Sequence, residues 1–158
     1  MARKLAVVYW RIVKPKTFGS RVILRSGEEV LLVKHTGGTL WMFPGGGRKR
    51  NETPEDCAIR EIKEELGIKI PEISMHLFGV YTNSVEGKRD TIHLFVAEIE
   101  KAKIVLEWEI ADAQWFPVQS LPEMTSRATR ERILEVLAGK PNAEGTWVTK
   151  RPGQPIIY

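Results

Sequence analysis

Only one cysteine, Cys57, occurs in the 158 residues, so no disulfide can form within the chain. A secreted fold held together by disulfides is excluded, and a reducing cytoplasm is the expected location. No apolar run approaches the ~20 residues of a membrane span. The longest early one, Leu5 to Trp10, is broken by Arg11, and it lacks the small-residue cleavage site of a signal peptide. No internal repeat and no low-complexity tract is visible. A strong charge excess is also missing: 24 Lys and Arg against 20 Asp and Glu leave +4. That balance suits a phosphate-bearing ligand. It argues against a nucleic-acid-binding domain, because only Arg48–Arg50 and Lys88-Arg89 cluster, whereas a phosphate backbone is gripped by basic residues spread over one face.

What is present describes an ordinary soluble domain, 42% hydrophobic and 28% charged. The length favours one domain, with a body over residues 1–140 and a tail over 141–158. The tail is rich in Pro, Gly and polar residues and reads as an arm or frayed end. Leu5–Val13 is β-branched and aromatic, hence a strand. Arg21–Arg25 and Glu28–Lys34 flank the turn signal Ser26-Gly27 and read as a hairpin. Leu40–Phe43, His76–Tyr81, Thr91–Glu98 and Trp115–Pro117 read as further strands, several apolar on both sides, as in a covered sheet. Ser126–Ala138 reads as a helix ended by Gly139, with Ile133, Leu134 and Leu137 on one face. Strands mixed with two helices give an α/β or α+β class.

The segment Gly45–Ile70 carries the chemistry. Thr53 is placed to cap a helix, with Pro54 at its first position, Asp56 placed to answer the cap, and Gly67 at its end. At about 100° per residue, with Glu61 at zero, Glu64 falls near 300° and Glu65 near 40°. Ala58, Ile59, Ile62 and Leu66 fall between about 60° and 160°. The three carboxylates therefore form one stripe beside the apolar one. Like charges at these spacings cost about 0.2–0.5 kcal/mol per pair on a bare helix, so helix stability does not explain the grouping. A hard divalent cation, which takes oxygen ligands and shares them with phosphates, does. The preceding Pro44-Gly45-Gly46-Gly47 lets backbone approach a ligand closely, and Arg48, Lys49 and Arg50 add donors for phosphate oxygens.

Gly46, five residues, Glu52, seven residues, then Arg60-Glu61-Ile62-Lys63-Glu64-Glu65-Leu66-Gly67-Ile68 resembles the Nudix box, G-x5-E-x7-R-E-U-x-E-E-x-G-U with U a bulky aliphatic. Every fixed position matches. The flanking WMFPGGG and ADAQWFPVQSLP segments are similar to the family too, so the resemblance runs from about Phe18 to Ala138. It implies a single Nudix hydrolase domain, MutT-like, of the α/β fold class: an α/β/α sandwich around a mixed β-sheet. It also implies metal-dependent hydrolysis of a phosphoanhydride (pyrophosphate) bond in a nucleoside diphosphate linked to another moiety, a nucleoside triphosphate being one such substrate.

By the same resemblance Glu61, Glu64 and Glu65 would ligate Mg²⁺ or Mn²⁺, with the Gly45 carbonyl as a further ligand. Arg60 would orient a box carboxylate, and Glu52 would support a ligand or hold a bridging water. The general base is not fixed in the family; a box glutamate, Glu98, Glu107 and Glu109 are the candidates. Arg48, Lys49, Arg50, Tyr81, Arg89 and Glu109 are the expected substrate contacts, with Lys88-Arg89 in a loop between two strands. Trp41, Phe43, Trp108 and Trp115 are further aromatic planes, and Trp41, Phe43 and Trp115 read as core. Cys57 lies on the carboxylate stripe but has no histidine partner placed by the sequence, so it reads as a small buried residue. His35, His76 and His93 read as core or rim residues. No subgroup signature assigns the substrate: Asn83-Ser84 stands where ADP-ribose hydrolases carry a proline, and Pro44-Gly45-Gly46-Gly47 where RNA pyrophosphohydrolases show PQGG. The expected partner is a small nucleotide, without a membrane; the N-terminal segment and the tail are candidates for pairing a homodimer. The competing reading is a catalytically silent Nudix-fold nucleotide sensor or partner-binding domain, which would usually have lost box carboxylates that this chain retains.

Overall fold

A computed structural model describes residues 16–71, 74–85, 88–140 and 143–147. The expected strand Leu5–Val13 lies outside these residues. Ten elements follow in order: β1 (Lys16–Ser26), β2 (Glu29–His35), β3 (Trp41–Met42), β4 (Gly45–Gly47), α1 (Pro54–Leu66), β5 (Met75–Val85), β6 (Lys88–Glu98), β7 (Ile110–Pro117), α2 (Arg127–Leu137) and β8 (Ala143–Thr146). They build one mixed sheet in the order β3-β2-β1-β6-β5-β8, with β4 also on β1 and β7 also on β2. β1 and β6 run parallel from Lys16↔Arg89 to Arg25↔Glu98.

Strand alternation explains the layers. On one face Val22, Leu24, Leu31, Val33, Phe95 and Ala97 pack with Ala58, Ile62 and Leu66 of α1. On the other, Ile23, Val30, Leu32, Leu94 and Val96 pack with Ile133 of α2. Successive residues of one strand thus serve opposite cores, and the central strands read as continuous apolar runs because both faces are covered. The result is the expected α/β/α sandwich.

Several local expectations change. β5 and β6 extend beyond His76–Tyr81 and Thr91–Glu98, so Lys88 and Arg89 belong to a strand and not to a loop; they pair with Val85 and Ser84. β7 begins at Ile110, five residues before Trp115, because pairing with β2 recruits the polar residues Asp112 and Gln114, which carry no strand signal of their own. On α2 Ile133 is buried, but Leu134 and Leu137 are 65% and 49% exposed. The inward stripe is Ala128, Thr129, Arg132 and Ile133, and Arg132 can lie inside because acidic partners and carbonyls meet its guanidinium. The tail read as an arm supplies β8, parallel to β5 from Gly79↔Ala143 to Thr82↔Thr146. Among the described residues no helix is long and apolar enough to cross a membrane.

Candidate active site

Helix α1 is placed by its own punctuation. The Thr53 hydroxyl accepts from Asp56 N at 3.0 Å, Asp56 answers the Thr53 amide at 3.3 Å, and Gly67 ends the helix at φ 68°. Ser20 of β1 donates its hydroxyl to the Pro54 carbonyl at 2.7 Å and ties the helix start to the sheet. The glycines of β4 then let α1 come close. A Cβ on Gly45, whose φ is 135°, would sit 2.2 Å from the Ser20 carbonyl oxygen, and one on Gly46 would lie 2.6 Å from the Glu61 carboxyl carbon. Only glycine fits at position 45, while a side chain at position 46 would push the Glu61 carboxylate out of its place.

Arg60 gathers the carboxylates. Its guanidinium donates to both oxygens of Glu52 (2.6 and 3.0 Å), to Glu61 at 2.7 Å, to Glu64 at 2.9 Å and to the Gly47 carbonyl at 3.0 Å. The bidentate Arg60 pair, with help from the Lys49 amide, holds Glu52 down at about 2. The same carboxylates raise Arg60 above the ordinary arginine range. Glu65 differs from these. It is 5% exposed and accepts from the Gly45 amide at 2.9 Å. Burial nevertheless outweighs that bond and the pull of Arg21, and its carboxyl is pushed up to about 7. Glu65 is thus a buried acid whose negative charge the surrounding residues only partly compensate.

Two residues support it: Arg21, given no site role by the sequence, and His35, read there as a core or rim residue. Arg21 donates to the Gly45 carbonyl at 2.6 Å and to that of Phe43 at 3.3 Å. The carbonyl expected to ligate metal therefore already accepts one bond and keeps a second lone pair. His35 Nε2 stands 4.0 Å from Glu65 Oε1. Burial first, and then Arg21, hold this imidazole below its usual value, so at neutral pH it faces Glu65 uncharged. The signal for Arg21 was a charged residue inside an apolar strand. For His35 it was a polar end to β2, turned toward the site by the irregularity at Lys34/His35.

The loop before β7 closes the site. The Val105 amide donates to the Leu66 carbonyl at 2.9 Å and the Glu107 amide to that of Glu65 at 3.3 Å, meeting carbonyls that the helix end leaves free. From the other side Thr36 donates its hydroxyl to the Trp108 carbonyl at 2.8 Å and its amide to the Glu109 carbonyl at 2.8 Å. Glu61, Glu64, Glu65, Glu107, Trp108 and Glu109 thereby line a cleft of about 310 Å³. A second cleft of about 350 Å³ reaches His35 and is lined further by Leu40, Met42 and Met124.

Other expected residues are placed elsewhere or only nearby. Lys49 Nζ reaches Glu64 at 3.7 Å, Arg48 lies over the Phe18 ring at 4.7 Å, and Arg50 is exposed. Tyr81 is not a substrate contact: it is 1% exposed in the core and donates to Glu135 at 2.6 Å. Arg89 is exposed on β6 and does not line the acidic cleft. Glu98 accepts from the Gly27 amide at 2.7 Å and faces Arg25 at the β1–β2 turn, so it does not line the cleft either. Cys57 is fully buried, its thiol raised by burial. Trp41 and Phe43 are core residues, as expected.

An all-oxygen donor set with one under-compensated carboxylate suits a hard divalent cation. Among the described residues no three acidic, histidine or cysteine side chains stand together as a ready-made metal cage, because Arg60 draws Glu61 and Glu64 to itself. The family model for the NUDIX domain matches residues 15–137. The chain belongs to the Nudix family of hydrolases. It is 29% identical over 134 residues to the Nudix hydrolase YvcI of Bacillus subtilis, covering 79% of this chain and 82% of that one. It is 29% identical over 116 residues to the NAD-capped RNA hydrolase NudC of Vibrio parahaemolyticus, covering 72% of this chain and 43% of that one. The chain spans less than half the length of several curated relatives it matches. In fold it is similar to a MutT Nudix hydrolase from Burkholderia pseudomallei, with a TM-score of 0.68 and 24% identity over 77% of this chain and 98% of the other.

Proposed function

We propose that this domain hydrolyses a phosphoanhydride bond in a nucleoside diphosphate linked to another group, with a divalent metal ion as cofactor. One observation carries the reading: Glu61, Glu64 and Glu65 face Glu107 and Glu109 across one cleft, with Glu65 buried and short of positive charge. Glu61, Glu64 and Glu65 are the residues that would hold Mg²⁺ or Mn²⁺, with the free lone pair of the Gly45 carbonyl beside them. Such an ion supplies positive charge to the phosphate oxygens and acidity to water.

The chain's own groups do the rest. Arg60 keeps Glu52, Glu61 and Glu64 in register, so their order is established before substrate arrives. Lys49, with Arg48 and Arg50 on the same loop, meets phosphate oxygens at the rim. Glu109, or Glu107 two residues before it, accepts the proton of the attacking water. The new P–O bond then forms as the anhydride P–O bond breaks, and the bond's electron pair leaves on the departing phosphate. The retained box carboxylates favour turnover over silent sensing. A panel of nucleoside triphosphates, dinucleotide pyrophosphates and nucleotide sugars, assayed for phosphate or pyrophosphate release with and without Mg²⁺, tests the reading. Mg²⁺-dependent turnover of at least one member is expected, with Glu64→Gln lowering it by about 10- to 100-fold or more, as for loss of a group that holds the metal. Wild-type rates in that variant would refute the assignment.

A further inference from the structure

Trp108 is the most exposed large hydrophobic side chain among the described residues, at 79%, and yet its backbone is firmly held. Thr36 anchors the carbonyls of Trp108 and Glu109 from one side. The amides of Val105 and Glu107 are anchored to the end of α1 on the other. Within the loop, the Ile110 amide closes back on the Glu107 carbonyl at 2.9 Å. A loop fixed this well could have turned an indole inward. Instead the ring stands at the rim of the cleft that holds the box carboxylates, where leaving it in water forgoes the favourable burial of a large apolar surface. Trp108 is the one aromatic residue among those lining this cleft, and two other aromatic planes are used elsewhere: Trp41 packs edge-on to Phe116, and Phe43 is 1% exposed in the core.

We propose that Trp108 is a specificity-determining residue of this site, the plane on which the aromatic base of the nucleotide stacks while its phosphates face Glu61, Glu64 and Glu65. This rests on the reading of the cleft as a nucleotide site and adds which residue receives the base. Every base offers a π-face, so the contact selects for a ring over none and discriminates weakly among bases. Stacking on a fixed platform also has a low ordering cost, because an indole has only two side-chain torsions to restrain.

The experiment compares binding of ADP, GDP and inorganic pyrophosphate by calorimetry, with Mg²⁺ present, to the wild-type chain and to Trp108→Leu and Trp108→Phe. The expected result is a loss of about tenfold or more for ADP and GDP in Trp108→Leu, recovery of most of it in Trp108→Phe, and unchanged pyrophosphate affinity throughout. Unchanged ADP and GDP affinity in Trp108→Leu, or an equal loss for pyrophosphate, would overturn the proposal while leaving the hydrolase reading intact. If wild-type protein binds pyrophosphate no better than Glu64→Gln does, the site reading fails and this proposal falls with it.

Discussion

Each helix of the sandwich builds a cluster around a largely buried arginine, and the two clusters are balanced differently. On α2, Arg132 meets Glu135 at 2.9 Å and Glu131 at 3.4 Å, while Arg127 meets Glu131 at 2.8 Å. Two guanidiniums face two carboxylates. Arg132 also donates to the carbonyls of Thr146 and Trp147 and lies 4.5 Å from the Tyr81 ring. On α1, one guanidinium serves three carboxylates, Glu52, Glu61 and Glu64, and Glu65, Glu107 and Glu109 stand around the same cleft. The balanced cluster has spent its charge on holding β8 and α2 to the sheet. The unbalanced one keeps negative charge in hand beside open space. Charged networks of similar appearance are thus told apart by the charge left over and by whether a cavity adjoins it.

Four measurements would sharpen or break this contrast. The largest effect is expected for Arg132→Met, which leaves Glu135 short of its partner and unties β8. Denaturant unfolding should show a loss of about 3 kcal/mol, with turnover per folded molecule unchanged; a stable but inactive variant would collapse the distinction.

Next is a pH effect on metal-free protein. Glu65 sits at about 7 when folded and at 4.5 in the reference state. Its protonated form therefore favours the fold, fully below about pH 4.5, and that contribution disappears as pH rises through about 7, at most about 3 kcal/mol. Thermal unfolding should show this fall, Glu65→Gln should remove it, and Mg²⁺ should shrink it by stabilising the charged form. A slope identical in wild type and Glu65→Gln would mean that Glu65 is not the strained group.

Arg60→Gln should lower activity or metal affinity by about 10- to 100-fold, with a smaller stability change than Arg132→Met. The smallest effect is that of Tyr81→Phe, which deletes the hydroxyl bonded to Glu135. It should cost about 1 kcal/mol of stability and leave the KM for any substrate unchanged, in keeping with a core residue.

What could be read from the sequence was local along the chain. Thr53, Pro54, Asp56 and Gly67 delimit α1 because caps act over a few residues, and the stripe Glu61-Glu64-Glu65 follows from helical periodicity alone. The hairpin at Ser26-Gly27 is equally local. The closing wall of the cleft was not legible in this way. Glu107, Trp108 and Glu109 are brought beside α1 by amide hydrogen bonds from Val105 and Glu107 to the Leu66 and Glu65 carbonyls, and are held from the other side by Thr36 after β2, all contacts between distant segments. Arg21 was passed over, and His35 was read only as a core or rim residue, for the same reason, since a strand's pattern does not tell which neighbour will cross it. Tyr81 and Glu98 show the converse: each was chosen for its side chain, and each found a private partner, Glu135 and the Gly27 amide, that distance in sequence concealed.

The pairing of β8 along β5 has a consequence for the molecule in crowded solution. β5 would otherwise present its outer row of amides and carbonyls over Gly79–Thr82 as an open template, and a bare strand edge recruits strands from other molecules. Four residues near the end of the described chain, kept in place by Arg132, cover that row and leave a short four-residue edge in its place, so that shortening the protein to its apparent enzymatic body would re-open the longer one.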